Sequence, residues 1–192
     1  LENMRIHGCT PVVAINVFPG DHPADIDALK EIAAEYDARA AVSTHFTDGG
    51  KGAIELAEAV ADAAEEDSEF EVLYPDDMSL RDKITTVAQR VYGADGASFS
   101  PQANTQLDNY EANGFGNLPV CIAKSHLSLS HDPKLKGAPT GWTLPVREVR
   151  ASVGAGFVYP ICGDMRTMPG LGKTPALQSI DIDENGDIVG LS

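Results

Sequence analysis

The alternation of apolar and polar positions in the first part of the chain predicts two strand–helix units. Residues 11–18 form a short apolar run, which is typical of a strand buried on both faces. The apolar residues that follow recur at helical spacing, and Asp21 or His22 can cap this helix. A second apolar run, residues 39–44, leads through a polar, glycine-rich turn into a second amphipathic helix. Strands that alternate with helices favour a parallel sheet covered by helices.

The second helix is expected to turn one apolar face toward this sheet. By helical spacing, that face consists of Ile54, Ala57, Val60 and Ala61.

The pattern beyond residue 69 predicts a smaller region that again mixes strands and helices. We expect a strand at residues 70–75 and then a helix that Ser79 can cap. A short strand and a helix ended by Gly114 follow, and residues 118–124 are typical of a further strand.

The last part of the chain predicts a long loop, two strands and a hairpin. Residues 125–145 are loop-like, and loops of that length are usually functional or disordered. Alternating residues around Asn185 and Gly186 are a strong hairpin signal. The predicted fold class is therefore α/β, with a partial parallel sheet flanked by helices in residues 1–69. A smaller α/β region with a terminal hairpin occupies residues 70–192.

Composition narrows the classes of partner and the compartment. Acidic residues outnumber basic ones by 29 to 14 in the 192 residues, and a net charge of −15 disfavours nucleic acid. No run of eighteen apolar residues occurs, so we expect no membrane-spanning helix. Three widely spaced cysteines form neither a disulfide framework nor a zinc motif, which favours a reducing cytoplasm. We expect no metal site, since His126 and His131 are five residues apart in a loop and lack a clear third ligand.

The stretch TMPGLGKT, residues 167–174, ends like a phosphate-binding P-loop but does not fit the motif. The motif requires a glycine where Thr167 stands. Pro169 removes a backbone N–H from a loop that must present such groups, and Pro175 disfavours helical geometry at Thr174. We interpret the stretch as a tight turn, while a contact of Lys173 alone with a phosphate stays open.

Two phenylalanines stand where a ligand is expected to bind. Parallel sheets bind ligands beyond the carboxyl ends of their strands, and Phe18 and Phe46 follow the two predicted strands. Two aromatic faces hold a flat ring when they lie about 7 Å apart, which loops from neighbouring strands can provide. Spacing alone leaves two interpretations open: a slot for a flat ring, or two side chains that cap the core.

Polar and flexible residues near these strand ends are weaker candidates for ligand contact. Gly49 and Gly50 precede the second helix, where free backbone N–H groups favour an anion or a carbonyl. Asn16 ends the first strand, His45 adjoins Phe46, and Lys124 follows a later strand. None of them has the spacing of a catalytic motif, so the catalytic residues stay unassigned.

Several long stretches resemble formate–tetrahydrofolate ligase together and in the same order. They are PVVAINVFPGD, STHFTDGGKGAIELAEAV, the long segment from LPVCIAKSHLSLSHDP to MPGLGKTPA, and IDIDENGDIVGL. The resemblance covers nearly the whole chain and is to the C-terminal part of that family, which has a P-loop-type ligase fold. It implies the synthesis of 10-formyltetrahydrofolate from formate, ATP with Mg²⁺, and tetrahydrofolate, through formyl phosphate.

The resemblance also implies roles for individual residues. The family holds the folate pterin between two aromatic side chains, which correspond to Phe18 and Phe46. Pro19 would wall this slot, and Gly49 and Gly50 would allow close backbone approach. The family commonly has tryptophan where this chain has Phe46.

The family's P-loop has no counterpart in these 192 residues, so the chain is expected to be a fragment or one subunit of a split ligase. The implied partner is an N-terminal P-loop half, and the complete enzyme is expected to be a homo-oligomer. The chain alone is expected to be inactive. The alternative is a non-catalytic folate-binding or assembly module that lacks the ATP site.

Overall fold

The computed structural model describes residues 1–163 and 178–190. The first sheet is a pair of parallel strands. Strands β1 (Val12–Asn16) and β2 (Arg39–Ser43) are in register from Val12 opposite Arg39 to Asn16 opposite Ser43. Helix α2 (Pro23–Glu35) connects them, and His22 caps it by accepting the Ala24 N–H at 3.2 Å. The predicted strand–helix–strand unit with parallel strands is therefore confirmed.

Four further helical segments belong to the first 64 residues, and one of them corrects a prediction. They are α1 (Glu2–Arg5), α3 (His45–Asp48), a 3₁₀ helix (Gly49–Ala53) and α4 (Ile54–Ala64). The expected glycine-rich turn after β2 is thus helical almost throughout. Its ends are joined because the Thr44 N–H donates to the Gly52 carbonyl at 2.9 Å.

Burial in this part is lower than the apolar pattern predicts. In β1 only Ile15 is buried, whereas Ala14 and Asn16 are exposed, so the prediction of a strand buried on both faces is wrong.

The predicted inward face of α4 is wrong as well. Ile54, Ala57, Val60 and Ala61 are all exposed, and α4 contains no buried residue. The helix is rich in alanine and carries apolar residues on both sides, so helical spacing alone did not determine which side faces the sheet.

A second region, residues 80–162, contains a mixed three-stranded sheet. Its elements are α5 (Leu80–Arg90), β3 (Gly96–Phe99), α6 (Pro101–Ala112), β4 (Thr143–Ser152), a 3₁₀ helix (Val153–Ala155) and β5 (Phe157–Cys162). Strand β3 pairs with β4 in parallel, and β4 pairs with β5 antiparallel. Ser79 and Ser100 cap α5 and α6 through their hydroxyl groups.

Two strand predictions fail in this region. Residues 70–75 have no regular structure, although the Glu71 N–H donates to the His7 carbonyl at 3.1 Å. Residues 118–124 make only two isolated bridges, Val120 with Val158 and Ala123 with Ile161. Both segments have the composition of strands, but composition does not supply a neighbouring strand to pair with.

Most of the buried apolar side chains belong to one cluster around the second sheet. The cluster consists of Leu80, Ile84, Ala88, Ala94, Ala103, Leu107, Trp142, Leu144, Val146, Val149, Val158 and Cys162. Helices α5 and α6 bury their apolar faces in it.

The predicted hairpin is confirmed, with β6 (Asp181–Ile182) antiparallel to β7 (Ile188–Val189) and Gly186 at a φ of 87°. The TMPGLGKT turn, residues 167–174, lies outside the described residues. In the described ranges, none of the helices is long and apolar enough to cross a membrane. The mixed α/β class is confirmed, while the division near residue 69 and the P-loop-type ligase fold stay predictions.

Candidate aromatic binding site

The structure brings Phe18 and Phe46 together at the carboxyl ends of the parallel strands. Phe18 lies two residues beyond β1, and Phe46 lies in α3, three residues beyond β2. Their ring centroids are 5.1 Å apart, and the ring planes are inclined at 54°. Phe18 is 44% exposed and Phe46 is 66% exposed, so neither ring caps the core.

The two rings are too close together to hold a third ring between them. A flat ligand ring needs two roughly parallel faces about 7 Å apart, because each stacking contact takes about half of that distance. The observed separation is 5.1 Å, and the rings are tilted. The slot that the sequence predicts is therefore closed in this conformation, and a ligand ring can enter only when the phenylalanines separate.

A short turn holds Phe18. Its N–H donates to Asp21 Oδ2 at 2.8 Å, and its carbonyl accepts the Asp21 N–H at 3.1 Å. Pro19 lies inside this turn and is exposed, and Asn16 is exposed at the end of β1. Sequence reasoning considered Asp21 only as a helix cap, whereas its side chain bonds to Phe18.

A longer closed loop holds Phe46. Thr44 Oγ1 donates to Asp48 Oδ2 at 2.6 Å, and the Asp48 N–H donates to the Thr44 carbonyl at 2.9 Å. Gly49 then has φ 62° and ψ −145°, a backbone conformation that is essentially restricted to glycine. A Cβ atom at Gly52 would lie 2.5 Å from Thr44 Oγ1, so this position must also be glycine for the loop to close.

The remaining candidates near the pair differ in their environment. Gly50 is exposed in the 3₁₀ helix, and a Cβ atom added there would meet no other atom within 4 Å. His45 is exposed, and its Nδ1 lies 2.9 Å from the hydroxyl of the buried Ser43. This hydrogen bond orients the imidazole next to Phe46.

Lys124 belongs to different surroundings. Its ammonium group donates to the carbonyls of Ser125 and Ser128, and it lies 4.6 Å from the centre of the Tyr92 ring. Burial lowers the pKa of Lys124, and the Cys162 thiol opposes this shift. These contacts occupy the amine within the second region and leave Lys124 a weak candidate for contact with a ligand at the aromatic pair.

Sequence reasoning missed a cavity of about 760 Å³ at the opposite ends of the same strands. Its lining includes Arg5, Cys9, Arg39 and Glu66, and the guanidinium of Arg39 pairs with the Glu66 carboxylate. The hydrogen bond to Arg39 lowers the pKa of Glu66. This cavity lies at the amino ends of the strands. Parallel sheets bind ligands at the carboxyl ends, so we place the candidate site at Phe18 and Phe46.

Metal ligation receives no support in the part of the chain that the structure describes. Within residues 1–163 and 178–190, no group of three or more histidine, cysteine or acidic side chains could hold a metal ion.

Comparison with known proteins identifies the family. The family model for formate–tetrahydrofolate ligase matches residues 1–192. A formate–tetrahydrofolate ligase of Saccharopolyspora erythraea is 65% identical over 192 residues, which is 100% of this chain and 34% of that protein. One of Cutibacterium acnes is 56% identical over 191 residues, again 100% of this chain and 34% of that protein.

The chain spans about a third of the length of these relatives. The sequence predicted that the partner is an N-terminal half of the ligase, and the matches do not support that position. We therefore describe the partner only as the remaining two thirds of the ligase. The match over the whole chain and the identity of 65% agree with the resemblance found in the sequence. The chain belongs to the formate–tetrahydrofolate ligase family.

Proposed function

We propose that this chain is the folate-binding portion of a formate–tetrahydrofolate ligase. The observation that carries this proposal is the pair of exposed rings, Phe18 and Phe46, which meet at the carboxyl ends of two parallel strands. A pterin is a flat, conjugated ring system, so it gains most from stacking on aromatic faces.

The free energies favour insertion of a pterin between the two rings. Stacking of a flat heterocycle contributes about 1–3 kcal/mol per aromatic side chain. Separating the two phenylalanines loses their mutual contact, which is worth about 0.5–1.5 kcal/mol beyond the area they bury. Two new stacking contacts outweigh one lost contact, so the closed pair opens at a modest cost. Pro19 would form one side of the slot, and Gly49 and Gly50 would let the backbone approach the ligand.

The complete enzyme would convert ATP, formate and tetrahydrofolate into 10-formyltetrahydrofolate, ADP and phosphate through formyl phosphate. We assign the phosphoryl chemistry and the Mg²⁺ that accompanies ATP to the remaining two thirds of the ligase. Phosphoryl transfer depends on positioning and on neutralising charge, and a chain with a net charge of −15 is poorly suited to neutralise phosphate oxygens. This chain would bind and orient tetrahydrofolate for formyl transfer.

Substitution of the two phenylalanines tests this proposal. Phe18→Ala and Phe46→Ala should each weaken tetrahydrofolate binding by about 1–3 kcal/mol, because each removes one stacking face. Phe46→Trp should preserve or strengthen binding, because indole offers a larger face. The measurement is titration calorimetry with tetrahydrofolate, on this chain and on a complete ligase that contains it.

Phe70→Ala provides a matched control. Phe70 is 62% exposed, close to the value for Phe46, but its ring stacks on His7 at a centroid distance of 6.0 Å. Its replacement should leave the affinity unchanged. Equal affinities for the wild type, Phe18→Ala and Phe46→Ala would contradict the proposed slot.

A further inference from the structure

The rings of Phe18 and Phe46 have little side-chain support, so their placement depends on their backbones. Phe18 is 44% exposed and Phe46 is 66% exposed, and the aromatic contact that each makes is with the other. A stacking site requires the backbones that carry its two faces to be held in place while the side chains move apart to admit the ligand. What fixes the backbone of each loop therefore determines how well the pair accepts a ring.

One aspartate closes each of the two loops. Asp21 accepts the N–H of Phe18 itself at 2.8 Å, and its own N–H returns to the Phe18 carbonyl at 3.1 Å. Asp48 accepts from Thr44 Oγ1 at 2.6 Å, across the single helical turn that carries Phe46. Charge-assisted hydrogen bonds of this kind are shorter and stronger than neutral ones.

We propose that Asp21 and Asp48 are positioning residues that hold Phe18 and Phe46 facing each other. This proposal rests on the proposed function, because it concerns the same folate slot. The Asp21 carboxylate acts through the backbone of its loop, the Asp48 carboxylate acts through the Thr44 side chain, and neither contacts the ligand. Asp21 fixes the backbone of Phe18 directly, and Asp48 fixes α3 against the end of β2.

Alanine and asparagine variants separate the role of the acceptor oxygen from the role of the charge. Asp21→Ala and Asp48→Ala should each raise the dissociation constant for tetrahydrofolate about fivefold, as expected for the loss of one ordering hydrogen bond. Asp21→Asn and Asp48→Asn keep an acceptor oxygen and should stay within about twofold of the wild type. Asp27→Ala removes an exposed carboxylate from α2, away from both loops, and it should change nothing.

A double-substitution cycle tests whether Asp21 acts through Phe18. If it does, Asp21→Ala should have no further effect on the dissociation constant in a Phe18→Ala background. In a Phe46→Ala background the effect should persist, because Phe18 still offers one face. A carboxylate that contacts the ligand directly, or that only supports the fold, would weaken binding in both backgrounds.

Calorimetric titration with tetrahydrofolate and thermal unfolding should be measured for every variant, on this chain and on a complete ligase that contains it. If Asp21→Ala unfolds, Asp21→Glu serves in its place, since it keeps the charge and moves the carboxylate by one methylene. Weaker binding by Phe18→Ala with unchanged binding by Asp21→Ala would overturn the positioning role and leave the slot intact. Unchanged binding by both phenylalanine variants would instead overturn the slot.

Discussion

Replacing the buried Lys83 with methionine should lower the free energy of unfolding by about 3–4 kcal/mol. The Lys83 side chain is fully buried, and its ammonium donates to three carbonyls, of Asp76 at 2.7 Å, Gly116 at 2.8 Å and Leu118 at 3.1 Å. These bonds tie the segment before α5 to the loop after α6. Methionine fills a similar volume but leaves three carbonyls without their donor.

Two opposing effects set this magnitude. A hydrogen bond to a charged group is worth about 1.5–3 kcal/mol, so three such bonds define an upper limit. Burial of the ammonium opposes them and lowers the pKa of Lys83, although the carboxylates of Asp76, Asp77 and Glu111 partly restore it. Each buried carbonyl that is left without its donor costs about 1–3 kcal/mol, and removing the ammonium also removes its own desolvation cost, which reduces the sum to about 3–4 kcal/mol.

Chemical denaturation followed by tryptophan fluorescence measures this effect. Trp142 is the only tryptophan of the chain and belongs to the same core cluster as the helix that carries Lys83, so its emission reports on that core. Lys134→Met, a change of the same chemistry at an exposed position, should alter stability by less than about 0.5 kcal/mol. A Lys83→Met variant within about 1 kcal/mol of the wild type would refute the reasoning, because the three bonds would then contribute little net stability.

Three further outcomes are expected. Burial raises the pKa of the Cys162 thiol from 9.0 to about 12, so the stability that this thiol contributes is complete below pH 9.0 and is lost toward pH 12. The difference in unfolding free energy between the wild type and Cys162→Ala, measured by denaturation at each pH, should therefore narrow by up to about 4 kcal/mol over that range. The chain should self-associate through the exposed apolar face of α4, and replacing Ile54 and Val60 with glutamine should raise the monomer fraction in light scattering. The purified chain without the remaining two thirds of the ligase should form no 10-formyltetrahydrofolate from ATP, formate and tetrahydrofolate in an enzymatic assay.

Each of these outcomes has a matched comparison. Between pH 6 and pH 8, below the ordinary pKa of the Cys162 thiol, the difference between the wild type and Cys162→Ala should stay constant, and a difference that already narrows there would contradict the Cys162 assignment. The control for self-association replaces both Lys51, next to α4, and Glu58, within α4, with glutamine, which leaves the net charge unchanged. This double substitution should not alter the monomer fraction. Product formation by the chain alone, free of contaminating ligase, would show that it holds a complete active site.

The placement of the aromatic pair could be predicted from the sequence because it follows from topology. Parallel strands end at the same edge of a sheet, so residues just beyond adjacent strands, such as Phe18 and Phe46, must come close together. The 5.1 Å contact between them could not be predicted, since it depends on two loop closures. Asp21 resembles a helix cap in sequence, and only the structure shows that its carboxylate accepts the N–H of Phe18.

Predictions failed where a local pattern allowed two answers. Helix α4 has apolar residues on both sides, and its half-buried side chains include Leu56 and Ala59 rather than Ile54 and Val60. Residues 70–75 have strand-like composition, yet a strand also needs a neighbour, which the local sequence does not specify. Lys83 is a similar case, because a lysine in an amphipathic helix is expected on the surface unless its partners are known.

The candidate site lies in the less buried part of the chain, and this links folate binding to assembly. Around the first sheet the buried residues are Pro11, Ile15, Ala33, Ala41 and Ser43, whereas the larger cluster surrounds the second sheet. Segments with few buried contacts open locally at low cost, so the loops that carry Phe18 and Phe46 are expected to fluctuate in the chain alone. If the ligand binds only when the two rings are ordered, its apparent dissociation constant rises as the ordered fraction falls. A covering partner that orders β1 and α4 therefore also raises the affinity for tetrahydrofolate, and bound tetrahydrofolate strengthens the association by the same factor.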